Sequence, residues 1–233
     1  MFKNIDWANL QNPHLFINGD CMEYMKTMPD KYMELAICDP PYGIGESGKK
    51  NHTRSKLAKA KDYKPFHGDD LKPPTEEYFN ELFRVSKNQI IWGANHMMHI
   101  IAKKSPCWIV WDKNNGDNDF ADCELAWTSF DTAVRQFTYT WAGMLQENMK
   151  NKEFRIHPTQ KPVALYEWLL TKYATKGDKI LDTHVGSASS LIACHNLGFD
   201  YVGFEIDKDY YTMANERLER VKAQTTIFDF IGR

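Results

Sequence analysis

Lys179-Ile180-Leu181-Asp182-Thr183-His184-Val185-Gly186-Ser187-Ala188-Ser189-Ser190 runs directly into Leu191-Ile192-Ala193-Cys194-His195-Asn196-Leu197-Gly198, and this stretch sets the fold class. A short apolar run ending in an acid, then small residues, then a helical pattern closed by glycine, predicts a strand, a tight loop and a helix. Small side chains let a ligand approach the backbone at such a turn, so the segment reads as a cradle for a nucleoside cofactor. Its glycines are too few for the dinucleotide fingerprint. Further along, Tyr201-Val202-Gly203-Phe204 ends in Glu205, an acid placed to accept from both hydroxyls of a ribose.

The same rhythm recurs upstream. Leu15 to Ile17, Leu35 to Cys38, Gln89 to Trp92 and Trp108 to Trp111 are short apolar runs with helical stretches between them, and several end in a polar or acidic residue before a turn. This predicts an α/β fold, a mostly parallel sheet flanked by helices, with chemistry gathered beyond the carboxyl ends of the strands. Trp92, Trp108 and Trp111 lie within apolar runs and are expected in the core.

The run Glu34 to Cys38 leads into Asp39-Pro40-Pro41-Tyr42. Two prolines fix φ and remove two amide donors, giving a stiff strand exit that holds the Asp39 carboxylate and the neighbouring carbonyls in place. Two fixed acceptors suit an amino group with two hydrogens. The amine of a nucleobase is a poor nucleophile because its lone pair is delocalised into the ring. Acceptors at Asp39 and the Pro40 carbonyl would favour the pyramidal form as positive charge develops. Tyr42 would offer an aromatic face to a base swung out of a duplex.

Composition sets the outer bounds. With 233 residues, 42% of them hydrophobic, the chain suits one globular domain spanning residues 1–233. The five cysteines are scattered, with no C-x-x-C pair and no Cys/His ligand spacing, so neither a disulfide framework nor a metal site is expected. No apolar stretch approaches the roughly 18 to 20 residues that span a bilayer, and the chain reads as a cytoplasmic protein without membrane contact. The 29 basic residues are balanced by 31 acidic ones, so a nucleic-acid partner would have to be met by locally segregated charge. The best candidate is the loop 43–66, which holds Lys49, Lys50, Arg54, Lys56, Lys59, Lys61 and Lys64 against Glu46 and Asp62. The stretches 112–122, with Lys113 and Asn118, and 144–156 are further candidate recognition loops.

Taken together, these motifs resemble the amino-methyltransferases that modify DNA at adenine N6 or cytosine N4, in particular the permuted class whose catalytic motif precedes the cofactor motif. Asp182 to Ser190 is similar to the family's cofactor loop, D-P-F-x-G-S-G-T-T, keeping Asp182, Gly186 and Ser187; Thr183, His184 and Ala188 depart from it. His157-Pro158-Thr159-Gln160-Lys161-Pro162 looks like the family's H-x-T-x-K-P segment, which lies against the methionine part of the cofactor, and Asn18-Gly19-Asp20-Cys21 like the element that contacts its adenine ring.

The resemblance implies a Rossmann-like methyltransferase fold with permuted order, S-adenosyl-L-methionine as cofactor, and double-stranded DNA as partner with the target base flipped. It implies a bacterial, phage or prophage setting such as restriction-modification, and a homodimer. Asp39, Pro40, Pro41 and Tyr42 would be catalytic. Asp20, Cys21, Asp39, His157, Thr159, Lys161, Asp182, His184, Gly186, Ser187, Ser189, Ser190, Glu205 and Ile206 would hold the cofactor, with His184 packing locally in preference to acting as a base. Asp at the head of the tetrapeptide favours adenine N6, since cytosine-N4 members more often begin it with Ser. The rival expectations are a cytosine-N4 enzyme and a nucleic-acid-binding subunit without activity.

Overall fold

In the computed structural model, which describes residues 5–45, 70–116, 121–142 and 145–231, the apolar runs read from the sequence become strands. They are β1 (His14–Asn18), β2 (Met33–Cys38), β3 (Ser86–Trp92), β4 (Trp108–Asp112), β9 (Lys179–Asp182) and β10 (Asp200–Glu205). Two further strands, β5 (Cys123–Thr128) and β6 (Arg135–Thr138), complete a sheet ordered β1-β10-β9-β2-β3-β5-β4-β6, in which β5 alone runs against the others. A two-residue pair, β7 (Trp141–Ala142) and β8 (Leu145–Gln146), stands apart and lies partly within the stretch expected to be a loop at 144–156.

Strand alternation divides the core between the two faces of the sheet. Leu35 and Ile37 of β2 pack with Leu165 and Leu169 of α4 (Val163–Tyr173), Leu191 of α5 (Ser189–Leu197) and Leu218 of α6 (Lys208–Ile231). Ala36 and Cys38 point the other way, toward Tyr24 of α1 (Cys21–Met25), Phe79 and Leu82 of α2 (Glu76–Val85) and Ile101 of α3 (Met98–Ile101). Side chains at successive strand positions face opposite sides, so a strand covered on both faces reads as a continuous apolar run. Trp92 and Trp111 are buried in the first core, as expected, and Trp108 is half-buried against the second.

Direction reverses between β9 and β2. On one side the chain proceeds from β9 to β10, on the other from β2 to β3, yet β9 and β2 are parallel neighbours with Ala36 opposite Leu181. Such a switch point opens a crevice beyond the strand ends. Asp39 leaves β2 there, and Asp182 ends β9.

Candidate active site

The Asp39 carboxylate is held from two sides. Tyr42 donates its hydroxyl to Oδ1 at 2.6 Å, and Lys161 donates from Nζ to Oδ2 at 2.6 Å. Pro40 is buried behind the turn. The Tyr42 ring stacks on His96 with centroids 5.5 Å apart, and passes so close to Gly93 that a Cβ there would stand 2.1 Å from Cε1. Gly93 also has φ +64°, a left-handed value that favours glycine. Beyond Tyr42, Asp70 accepts the Gly43 amide at 2.8 Å and the Ile44 amide at 3.3 Å, tying the start of the basic loop to its return. Lys49, Lys50, Arg54 and Lys56 of that loop, and Asn118, lie outside the described residues.

The second motif is braced by two carboxylates from neighbouring strand ends. Asp182 accepts the His184 amide at 2.9 Å through Oδ1 and the Ser190 hydroxyl through Oδ2. Glu205, ending β10, accepts the Gly186 amide through Oε2 and the Asp207 amide through Oε1, each at 2.8 Å. Gly186 has φ +55°, which turns its amide back toward Glu205. At the exit of β1 the Gly19 amide and the Asn18 side chain bond the Glu205 carbonyl at 3.0 and 2.8 Å, bringing Asp20 next to Glu205 and the exposed Ile206. Asp20 caps α1 through the Met22 amide at 2.9 Å, whereas the Cys21 side chain is buried in the core with Tyr24, leaving its main chain for any contact at the site.

His157 and Thr159 join this cradle. The imidazole lies 4.4 Å from the Tyr210 ring and close to Gly186, with Nδ1 3.0 Å from Thr159 Oγ1. Lys161, two residues further on, turns away from it and reaches Asp39 and Tyr42 instead. The segment that the resemblance treats as one cofactor element is therefore shared between the two motifs.

Several residues were not anticipated. Arg217 on α6 donates to the Ser187 carbonyl at 2.7 Å and Ser189 Oγ at 2.9 Å, and pairs with Glu153 at 2.6 Å. Glu153 in turn accepts the Val163 amide at the start of α4. Glu124 on β5 lies 2.9 Å from Lys161 Nζ and 2.5 Å from Lys113 Nζ. Lys113, expected at the DNA, thus has its ammonium committed to Glu124 with little exposure.

The electrostatics favour a cationic guest. Burial pushes the Asp182 carboxyl up to about 7, against the Ser190 hydroxyl and the His184 amide, with Asp39 and Glu205 adding like charge. Asp39 and Glu205 are also raised by burial. Burial lowers His157 and His184 to about 4, so both imidazoles are neutral near pH 7. His184 contacts Thr183 Oγ1 at 2.9 Å and the edge of Tyr78, the surroundings of a packed side chain. Arg217→Met is expected to cost about 1.5–3 kcal/mol in urea unfolding and to speed amide exchange at 186–190; unchanged exchange would show that α6 does not brace the loop.

A family model described as DNA methylase matches residues 110–216, which include His157 to Pro162, the loop from Asp182 to Ser190 and Glu205. That stretch is thus similar to the DNA methylase family. The matched residues exclude Asp39 to Tyr42, so the tetrapeptide stands on its own position beside that loop. The type II methyltransferase M.HpaI of Haemophilus parainfluenzae is 26% identical to this chain over 244 residues, covering 87% of this chain and 73% of that protein. Among solved structures, the M1.HpyAVI–SAM complex superposes with a TM-score of 0.52 at 20% identity, covering 87% of this chain and 98% of that one. The PvuII DNA methyltransferase, cytosine-N4-specific, gives 0.57 at 11%, covering 91% and 93%, and shares the fold.

Proposed function

We propose that the protein is an S-adenosyl-L-methionine-dependent DNA methyltransferase that modifies the exocyclic N6 amine of an adenine turned out of the duplex. The observation that carries this reading is the pairing of β2 with β9, which sets the exits bearing Asp39 and Asp182 side by side at the switch point. The likeness to M.HpaI, by its name a type II methyltransferase, supports the reaction class.

The residues fit the cofactor. Each Glu205 oxygen accepts one amide and keeps a lone pair for a ribose hydroxyl. Ile206, exposed beside Asp20, offers an apolar surface for adenine. The raised carboxylates Asp39, Asp182 and Glu205 suit the positive charge of a sulfonium. His157 and Thr159 would close the other side. When bound, the cofactor supplies a methyl group on positively charged sulfur.

The chain's own part is to shape and align the amine. A lone pair of the Asp39 carboxylate accepts one N–H, the Pro40 carbonyl accepts the other, and the charge that develops on nitrogen faces an anion. The Tyr42 ring borders the base, and alignment in the crevice accounts for much of the rate. The surplus proton of the methylated amine leaves to water, so no strong base is required. Double-stranded DNA would be met by the lysine-rich loop after Gly45. A cytoplasmic site of action and pairing of two chains belong to the same reading.

The deciding experiment incubates the protein with methyl-labelled S-adenosyl-L-methionine and unmethylated DNA, then identifies labelled nucleosides by mass. N6-methyldeoxyadenosine is expected. Label found only in N4-methyldeoxycytidine replaces the adenine reading, and a protein that does not bind the cofactor in calorimetry is an inactive subunit.

A further inference from the structure

Among the described residues, Lys161 is the most deeply placed cation of the site, with its side chain 3% exposed. An ammonium is costly to bury unless anions surround it. Here it has three oxygen neighbours: Asp39 Oδ2 at 2.6 Å, Glu124 Oε2 at 2.9 Å and the Tyr42 hydroxyl at 3.2 Å. Its charge also stands 5.5 Å from the Trp92 ring and 5.8 Å from the Tyr42 ring. Behind it, Lys113 lies 2.5 Å from Glu124 Oε1. Four charges therefore alternate in a row from β4 to the β2 exit: Lys113, Glu124, Lys161, Asp39. The row is neutral, and Asp39 is its only member in the catalytic tetrapeptide.

We propose that Lys161 is a positioning residue for methyl transfer, aiming the Asp39 carboxylate at the amine, and that Glu124 on the antiparallel strand anchors Lys161 from behind. This rests on the methyltransferase reading above. It separates Lys161 from His157 and Thr159, which border Gly186 and the cofactor loop.

Direction and charge both follow from the pairing. Oδ1 is fixed by Tyr42 and Oδ2 by Lys161, so the carboxylate cannot rotate, and the remaining lone pairs point where the turn sets them. Asp39 must be ionised to accept without offering a proton. Burial works against that, as do the anions facing it, Glu124 from β5 and Asp182 from β9; Tyr166 from α4 and Tyr42 are neutral neighbours. Lys161 is the cation that opposes them. Glu124 is itself kept ionised, at about 2, because Lys161 and Lys113 outweigh its burial.

The sign of the effect is fixed. Removing Lys161 raises the Asp39 pKa, so the acid limb of the kcat profile moves to higher pH and activity is lost from the low-pH side. Removing Glu124 as well takes away a nearby anion and brings Asp39 part of the way back.

The test compares wild type with Lys161→Met, Lys161→Arg and the double variant Lys161→Met/Glu124→Gln. The Asp39 carboxyl is followed by 13C NMR on aspartate-labelled, cofactor-free protein, assigned with Asp39→Asn. Titration at higher pH in Lys161→Met, near wild type in Lys161→Arg, and between the two in the double variant is expected. In transfer assays, kcat of Lys161→Met should fall about tenfold for each unit by which the Asp39 pKa rises, read on the acid limb of the profile where Asp39 is mostly protonated, since one pKa unit corresponds to a factor of ten. Its cofactor affinity should stay within about threefold of wild type, the mark of an effect on the reaction step. An unmoved Asp39 titration in a folded Lys161→Met protein overturns the proposal. So does a large loss of cofactor affinity with an unshifted pH profile, which would make Lys161 a cofactor ligand. A wild type that methylates no DNA while the titrations still shift defeats the functional reading and leaves the pairing intact.

Discussion

Asp39→Ala is expected to slow methyl transfer by at least ~10²–10³-fold, the range for removing a preorganised polar group from a reacting centre, while cofactor binding stays nearly unchanged. The separation follows from the geometry. Asp39 belongs to the β2 exit and bonds Tyr42 and Lys161, whereas the loop from Asp182 to Ser190 is braced by Asp182, Glu205 and Arg217. Lys161 would keep Glu124 as its counter-ion. The truncation therefore does not leave an unpaired ammonium in the interior, the situation that most destabilises a fold. Single-turnover transfer and calorimetry with S-adenosyl-L-methionine read the two quantities separately. Loss of both together would mean that Asp39 supports the crevice and is not an acceptor in the reaction.

The strands most legible in the sequence are those covered on both faces. β2, β3, β9 and β10 pair in parallel, and each carries a run of at least three consecutive buried residues. β5 and β6 gave weaker signals for different reasons. β5 opens with an exposed Cys123 and the charged Glu124 before Leu125 to Trp127, so its apolar part is too short to stand out. β6 is an edge strand, Arg135-Gln136-Phe137-Thr138, paired along one side and mostly exposed.

The missed site residues follow from the same limit. Glu124 is a single acid in an unrecognised strand, and only the pairing of β5 with β4 brings Lys113 and Lys161 to it. Arg217 reads as an ordinary charge on a surface helix until α6 is packed on the loop. The resemblance to the H-x-T-x-K-P segment groups Lys161 with His157 and Thr159. The extended backbone at Pro162, φ −69° and ψ 148°, belongs to a segment in which neighbouring side chains diverge, and Lys161 goes with the tetrapeptide. Motif spacing located the carboxylates; tertiary contacts decided which cations they hold.

Gly93→Ala should be the most damaging change at a residue that contacts neither proposed ligand. Two effects coincide there. Alanine at φ +64° carries left-handed strain of roughly 1–2 kcal/mol. Its Cβ would also stand 2.1 Å from Tyr42 Cε1 and 2.3 Å from Cζ, distances that no side chain accepts, so the ring must move. Moving it breaks the bond from the Tyr42 hydroxyl to Asp39 Oδ1 and the stack on His96. A displacement of about an ångström at a reacting group can cost ~10²-fold, and kcat is expected to fall by that order. Cofactor affinity should hold, because Gly93 follows β3 and not β9 or β10. Gly198→Ala is the control: its φ of +72° brings similar strain, but nothing lies within 4 Å of the added Cβ. It should lower the melting temperature without slowing transfer. Equal loss of kcat in both variants would show that strain alone, and not the place of the Tyr42 ring, is what Gly93 protects.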